Sequence, residues 1–267
     1  MNEVFSFGSY FPGEGVLYRL DPRTKLLCGL SFLIIALLAR NFAALGVIAV
    51  FVAALYALSG VPVGRALRSL APLLAIVVVV SVLNLFINQD GAVVFQFGII
   101  RITEDGVHSF AFMGARMLLM MCAMSLVTMT TMTLDLTHAV ERLLGPFARF
   151  GLPSHELGMM LGIALRFMPQ FATELTVTYR AQVSRGARVA SGPLGAMRML
   201  SSVSIPLFAS IFRHSETLSA AMDARCYHGE VGRTRMHPLR YAPRDAVAAA
   251  TMAALTAAVV AVGMLVM

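Results

Sequence analysis

The chain has 267 residues, 58% of them hydrophobic and 13% charged, with a formal net charge of +7. A soluble domain carries about 45–50% apolar residues and about 25% charged ones, and here the charges are gathered rather than spread through every element. A large water-soluble core is therefore excluded, and an integral membrane protein is expected.

The positive charge does not mark a nucleic-acid binder, because base recognition adds exposed aromatics or a reading motif and neither is present. A basic cytoplasmic face on a membrane protein accounts for it. Cys28, Cys122 and Cys226 are odd in number and far apart. They form neither a metal-ligand spacing nor a disulfide framework and read as small apolar packers. Lys25 is the only lysine and is followed by Leu26. A P-loop needs Gly-Lys-Ser/Thr to cradle phosphates, so any nucleotide that drives this protein binds another subunit.

Residues 1–20 are mixed, with Gly8, Pro12, Gly13 and Gly15 as loop signals. They contain no long apolar run of the kind a cleaved signal peptide has. Asp21-Pro22 reads as an N-cap followed by proline at the first helical position. The run Leu26 to Ala39 is short for a bilayer, which asks for about 20 residues. Counting from Pro22, with Arg23 and Lys25 snorkelling, lengthens it enough. Arg40-Asn41 is a polar break before the second span, Phe42 to Ser59. Gly60, Pro62 and Gly64 end that span, and the loop after it carries Arg65 and Arg68. Leu70 to Ile87 is the third span, with Asn84 and Asn88 toward its far end. Residues 88–106 hold Asp90, Glu104 and Asp105 against Arg101 and alternate apolar residues from Val93 to Ile102. A small hairpin and a re-entrant loop both fit. Val107 to about Leu134 is the fourth span, and Ala246 to Met267 the last.

Between them lies a stretch of about Leu134 to Asp245 that reads poorly as bilayer-spanning and holds thirteen of the twenty-one basic residues. Asp135 is expected to cap a helix running to about Leu144, ended by Gly145-Pro146. Gly151-Leu152-Pro153-Ser154 starts another, with Ser154 as N-cap, kinked before Pro169 and reaching Arg185, where Gly186 is the C′ residue. Ser191-Gly192-Pro193 opens a third stretch, and Pro206 a fourth that stops at Gly229. Small residues recur on that last helix, from Ser210 to Ala224, and allow a close helix crossing. The fold class is all-α: a polytopic membrane protein with about five transmembrane helices and a helical cytoplasmic coupling domain. The segments are 1–134, 135–245 and 246–267. Lys/Arg bias puts the N-terminus and the 135–245 domain in the cytoplasm and the C-terminus outside.

Two tripeptides stand forty residues apart, each near a helix end: Ser184-Arg185-Gly186 and Ala224-Arg225-Cys226. Arginine there complements the helix dipole, and that reading suffices for either alone. A matched pair also suits a matched pair of sockets, because the guanidinium is a planar, permanently charged fork for carboxylates in a partner's cleft.

Leu20-Asp21-Pro22-Arg23-Thr24-Lys25-Leu26, Arg166-Phe167-Met168-Pro169 and the two tripeptides resemble the transmembrane T component of energy-coupling factor (ECF) transporters. The resemblance runs from about Gly8 to Asp245. Tyr10-Phe11-Pro12-Gly13 and Tyr18-Arg19-Leu20 are most similar to the shared T component that serves several vitamin-binding S components, and less to the cobalt-dedicated type. The resemblance implies two cytoplasmic helices crossing in an X, each tip docking in a groove of one ABC-type ATPase subunit. Motion driven by ATP, bound by those partners and not by this chain, passes to a membrane-embedded S component. The arginines carry over to Arg185 and Arg225. The usual alanine before the first is Ser184 here, and the position after the second, often glycine, is Cys226, which lacks glycine's backbone freedom. A T component dedicated to one substrate, such as cobalt or biotin, is the alternative.

Arg116 lies inside an apolar span, where a charge is costly. It either snorkels to an interface or bonds a hydroxyl or carbonyl of the bundle. His155-Glu156 is a poor acid/base dyad because helical neighbours diverge, and His138 with Glu141 reads as a surface pair at i, i+3. His228 and His237 follow Cys226 without compact metal-ligand spacing. The eighteen methionines, clustered at Met113–Met132 and Met159–Met168, read as adaptable packing. A Met-lined groove for exchanging partners is the further possibility. An intramembrane enzyme requires a nucleophile and base within reach, and a secondary transporter requires midplane ionisable groups and internal repeats. The sequence offers neither pattern, and no catalytic, cofactor or metal residues are expected.

Overall fold

The computed structural model describes residues 11–13, 15–87, 93–97, 100–150, 153–186, 193–229 and 241–265. Tyr10, Asn88, Asp90, Gly151-Leu152, Ser191-Gly192 and His237, which the sequence singles out, lie outside the described residues. The chain divides into two compact units: a membrane unit of residues 8–139 and 238–267, and a second unit formed mainly by residues 140–237.

In the membrane unit, a 3₁₀ turn at Val16–Arg19 leads to α1 (Pro22–Leu38), α2 (Phe42–Ser59) and α3 (Val63–Ile87). A hairpin of β1 (Val93–Phe97) and β2 (Ile100–Thr103) follows, then α4 (Glu104–Thr130) and the start of α5 (Thr133–Leu144). The chain returns as α8 (Pro243–Leu265). The hairpin decides between the two readings of residues 88–106. It is antiparallel, pairing Phe97 with Ile100 and Val93 with Thr103, with one irregularity in register.

Among the described residues, four helical segments are long and apolar enough to cross a membrane: Phe42–Ser59, Leu70–Ile87, Glu104–Thr130 and Pro243–Leu265. α1 has 17 residues, about 25 Å at 1.5 Å per residue, against a hydrocarbon core of about 30 Å. It packs in the same bundle, against α4 and α8. The protein is thus a helical polytopic membrane protein. Its shared core comes from α1, α2, α4 and α8, with Phe32, Ile35, Ile48, Val52, Leu126, Met129 and Val259 buried. Large apolar side chains such as Val50, Val79 and Ile87 point outward instead. Hydrocarbon as solvent permits this, and it leaves van der Waals packing and internal polar bonds to hold the helices together.

Asp21 caps α1 as expected, its carboxylate accepting the Arg23 N–H at 3.0 Å. α4 departs from expectation at both ends. It begins at Glu104 rather than Val107, because Thr103 Oγ1 accepts the Gly106 N–H and two acids occupy the first turn, where the dipole favours them. It ends at Thr130 rather than Leu134. Thr131 is extended, and α5 starts afresh at Thr133, so Asp135 lies in the first turn and is not the cap.

In the second unit, α5 ends at Leu144 and passes into a 3₁₀ segment, Gly145–Phe150. α6 (Ser154–Ser184) and α7 (Pro193–Ala224) follow. Pro153 occupies the cap position of α6 and Ser154 is already helical, one residue from the expected boundary. α7 is a single helix with Pro206 inside it, where a new helix was expected. A proline removes one backbone bond, and the buried Met199 and Val203 just upstream hold the helix in register by packing.

Candidate docking site

α6 and α7 run antiparallel against each other. Met159 meets Tyr227, whose hydroxyl donates to its sulfur at 2.8 Å, and Gln170 lies 3.3 Å from His214. Further along α6, Glu174 Oε1 accepts from Ser210 at 3.1 Å and lies 2.9 Å from His214 Nε2. As α6 advances, its partners on α7 retreat. The His214 hydrogen bond, more than any other neighbour, holds the Glu174 carboxyl below its usual range. The crossing is therefore clasped by a charge-assisted bond.

Each helix continues beyond this clasp to one of the two tripeptides. Arg185 is eleven residues past Glu174 (185 − 174) and Arg225 eleven past His214 (225 − 214), so each tip lies about 16 Å from the clasp along its own helix. Because the helices are antiparallel, the tips project from opposite ends of the pair, on the order of 30 Å apart.

The two tips share one construction. Ser184 is the last residue of α6, its hydroxyl donating to the Arg180 carbonyl. Arg185 is the C-cap, and Gly186 follows with φ +87° while its N–H donates to Val183 O at 3.0 Å. On α7, Ala224 is the last residue, Arg225 the next, and Cys226 takes φ +53°. The Cys226 N–H donates to Asp223 O at 2.9 Å and the Tyr227 N–H to Met222 O at 3.1 Å. Those two bonds are the 5→2 and 6→1 pair of a Schellman motif, with the left-handed residue at C′. Cys226 thus adopts the backbone conformation that glycine usually supplies, at the steric cost of a Cβ. All six residues, Ser184, Arg185, Gly186, Ala224, Arg225 and Cys226, are exposed. Cys226 is therefore not a packer, unlike the half-buried Cys28 and Cys122.

Other polar residues serve the scaffold. Arg116 donates to the Ala39 carbonyl at the end of α1 and stacks its guanidinium over Phe112 at 4.6 Å. This is the carbonyl-bonded reading of that half-buried charge. Asn84 donates to Val80 O on its own helix. Glu141 is buried and not a surface residue, and His155 Nδ1 lies 3.3 Å from its Oε1. That pair joins α5 to α6, fourteen residues apart in sequence, and neither i, i+3 spacing nor adjacency indicates it. The one local hint is Gly158, where a Cβ would come within 2.3 Å of the Glu141 side chain.

A family model described as "Cobalt transport protein" (CbiQ) matches residues 13–238. The chain is 41% identical over 249 residues to an "Energy-coupling factor transporter transmembrane protein EcfT" of Thermosediminibacter oceani, covering 93% of both chains. It is 40% identical to the protein of that name from Acidaminococcus fermentans, over 94% of this chain and 93% of the relative. With the Bacillus subtilis one it shares 33% identity over 92% and 93%. The chain belongs to this family. It is an energy-coupling factor transporter transmembrane component, a transporter's membrane subunit. The family match takes in all six tip residues and the Asp21-to-Lys25 segment.

Proposed function

We propose that the protein couples two ABC-type ATPase subunits to a membrane-embedded, vitamin-binding S component, and is not itself an enzyme. The observation that carries this reading is the pair of like-built, exposed arginine caps at opposite ends of one clasped helix pair. Two tips about 30 Å apart suit a dimer of ATPases better than a single partner. Both arginines are exposed, which lets each guanidinium fork onto a carboxylate of a partner. ATP is bound and hydrolysed by the partners. With residues 135–245 acting as the coupling domain, motion of the two ATPases is imposed on both ends of the α6–α7 pair and reaches the S component through it. Met160 and Met168 are exposed on α6. Adaptable thioethers there suit a surface that exchanges several S components. Basic flanks on the N-terminal segment and the 135–245 region support a cytoplasmic position for both, in a bacterial or archaeal cell membrane.

A second reading, a T component dedicated to a single substrate such as cobalt or biotin, draws on the cobalt-transport description of the matching family model. Reconstitution separates the two. The chain is co-expressed with a paired set of ATPases and each of several S components, and ATP-dependent uptake into proteoliposomes is measured. Uptake with more than one S component is expected; uptake with only one supports the dedicated reading. None with any, from an assembled complex, refutes the coupling role.

A further inference from the structure

The segment Leu20 to Leu26 is rich in polar groups for the start of a membrane helix, and their bonds converge on one place. Asp21 caps its own helix and donates its N–H to Asp245 Oδ1 at 2.9 Å. The other oxygen of Asp245 accepts the Ala242 N–H at 2.8 Å, so one buried carboxylate secures the starts of both α1 and α8. From this base Lys25 reaches to α4. Its side chain is buried, and Nζ donates to the Thr130 carbonyl at 2.8 Å.

Thr130 is the last residue of α4, and a helix leaves its last four carbonyls without partners. Two of those are met here from outside the helix: Met129 O accepts the Phe11 N–H at 2.9 Å, and Thr130 O accepts Lys25. A cation at this end also answers the helix dipole. Immediately beyond, the chain breaks at Thr131 and restarts as α5, which carries the sequence toward the docking tips. Asp135, in the first turn of α5 and five residues beyond Thr130, carries a charge opposite to this ammonium, as Asp21 does at the start of α1. Lys25 thus holds the end of α4 by a hydrogen bond, with a counter-charge at the start of α5.

We propose that Lys25 is a positioning residue for energy coupling: it pins the end of α4 and the start of α5 to the base formed by Asp21 and Asp245, so that movement of α5 is imposed on the membrane helices. This rests on the coupling reading given above. Without the pin, ATP hydrolysis continues while the membrane helices follow it poorly.

The test is uptake per ATP hydrolysed in the reconstituted full complex, for wild type, Lys25→Met and Lys25→Arg. Methionine keeps an unbranched apolar chain, and an apolar cavity of about 350 Å³ beside Lys25 leaves room for it. Lys25→Met is expected to assemble with the ATPases and hydrolyse ATP, but to lose about tenfold in uptake per ATP, as for a buried charge-assisted bond removed. Lys25→Arg, which keeps a charged donor, is expected to recover part of that. Unchanged uptake per ATP in Lys25→Met overturns the proposal, and so does loss of the ATPase complex, which makes Lys25 a folding residue only. Hydrogen exchange on the wild-type complex gives an independent reading. Amides 126–130 and 133–137 should change protection together between nucleotide-free and ATP-trapped states; a change confined to 133–137, or equal protection in both states, overturns the proposal. A wild-type chain that binds no ATPase overturns the coupling reading instead.

Discussion

Replacing Cys226 by glycine should tighten the second tip. The residue sits at φ +53°, where an L side chain costs about 1–2 kcal/mol through the clash of Cβ with the following carbonyl. Glycine removes that clash but gives back about 0.5–1 kcal/mol through the greater freedom of the unfolded chain. Taken at the midpoints of the two ranges, the net gain is about 0.75 kcal/mol, roughly a three- to four-fold smaller population of the frayed tip. The Tyr227 amide reports it, because its bond to Met222 O closes the motif around Cys226. Hydrogen exchange at Tyr227 should therefore slow about three- to four-fold in Cys226→Gly, while Cys226→Val should exchange faster than wild type because a β-branched residue resists this conformation. Unchanged or faster exchange in the glycine variant would refute the argument. It would mean that the tip is not held in the left-handed turn.

Gly158→Ala places a methyl within 2.3 Å of the Glu141 side chain. It should cost about 1–3 kcal/mol by overpacking and lower the thermal unfolding temperature, whereas Gly162→Ala, with open space around it, should not. Glu174 has its carboxyl held low by His214. A lowered folded-state value contributes stability that is present above the ordinary carboxylate range and is lost as pH falls through the lowered value. Glu174→Gln should therefore flatten the acid-side fall in unfolding temperature, and equal slopes for both proteins would count against the clasp.

Much of the scaffold was legible from apolar run length and from helix punctuation. Asp21-Pro22 announced its helix because capping and the fixed φ of proline are local effects, and Gly186 marked the end of α6 for the same kind of reason. The C-terminal boundary of α4 failed because a distant group decides it. α4 stops at Thr130, whose carbonyl bonds the side chain of Lys25, over a hundred residues earlier in the sequence. Pro206 did not break α7, since packing outweighed a single lost bond. At the candidate site the two arginines were visible as a repeated tripeptide in similar settings. Their equal distance from the Glu174–His214 clasp was not, because that pair lies forty residues apart and meets only once α6 and α7 cross. Glu141 and His155 were hidden likewise: they lie fourteen residues apart, whereas spacing along a sequence points only to local pairs. Cys226 shows the reverse error. Its residue type argued against a glycine-like turn, yet the two backbone bonds of the Schellman motif hold it there.

The central claim is that the two arginine caps dock the ATPases. Binding of the purified chain to an ATPase pair should be titrated for wild type, Arg185→Ala, Arg225→Ala and the double variant. Each charge-assisted contact removed should cost about 1.5–3 kcal/mol, roughly 10- to 100-fold in affinity. The two losses should combine nearly additively in free energy, because the tips are on the order of 30 Å apart. A double variant that binds within about twofold of wild type would contradict the account and leave the arginines as helix caps alone.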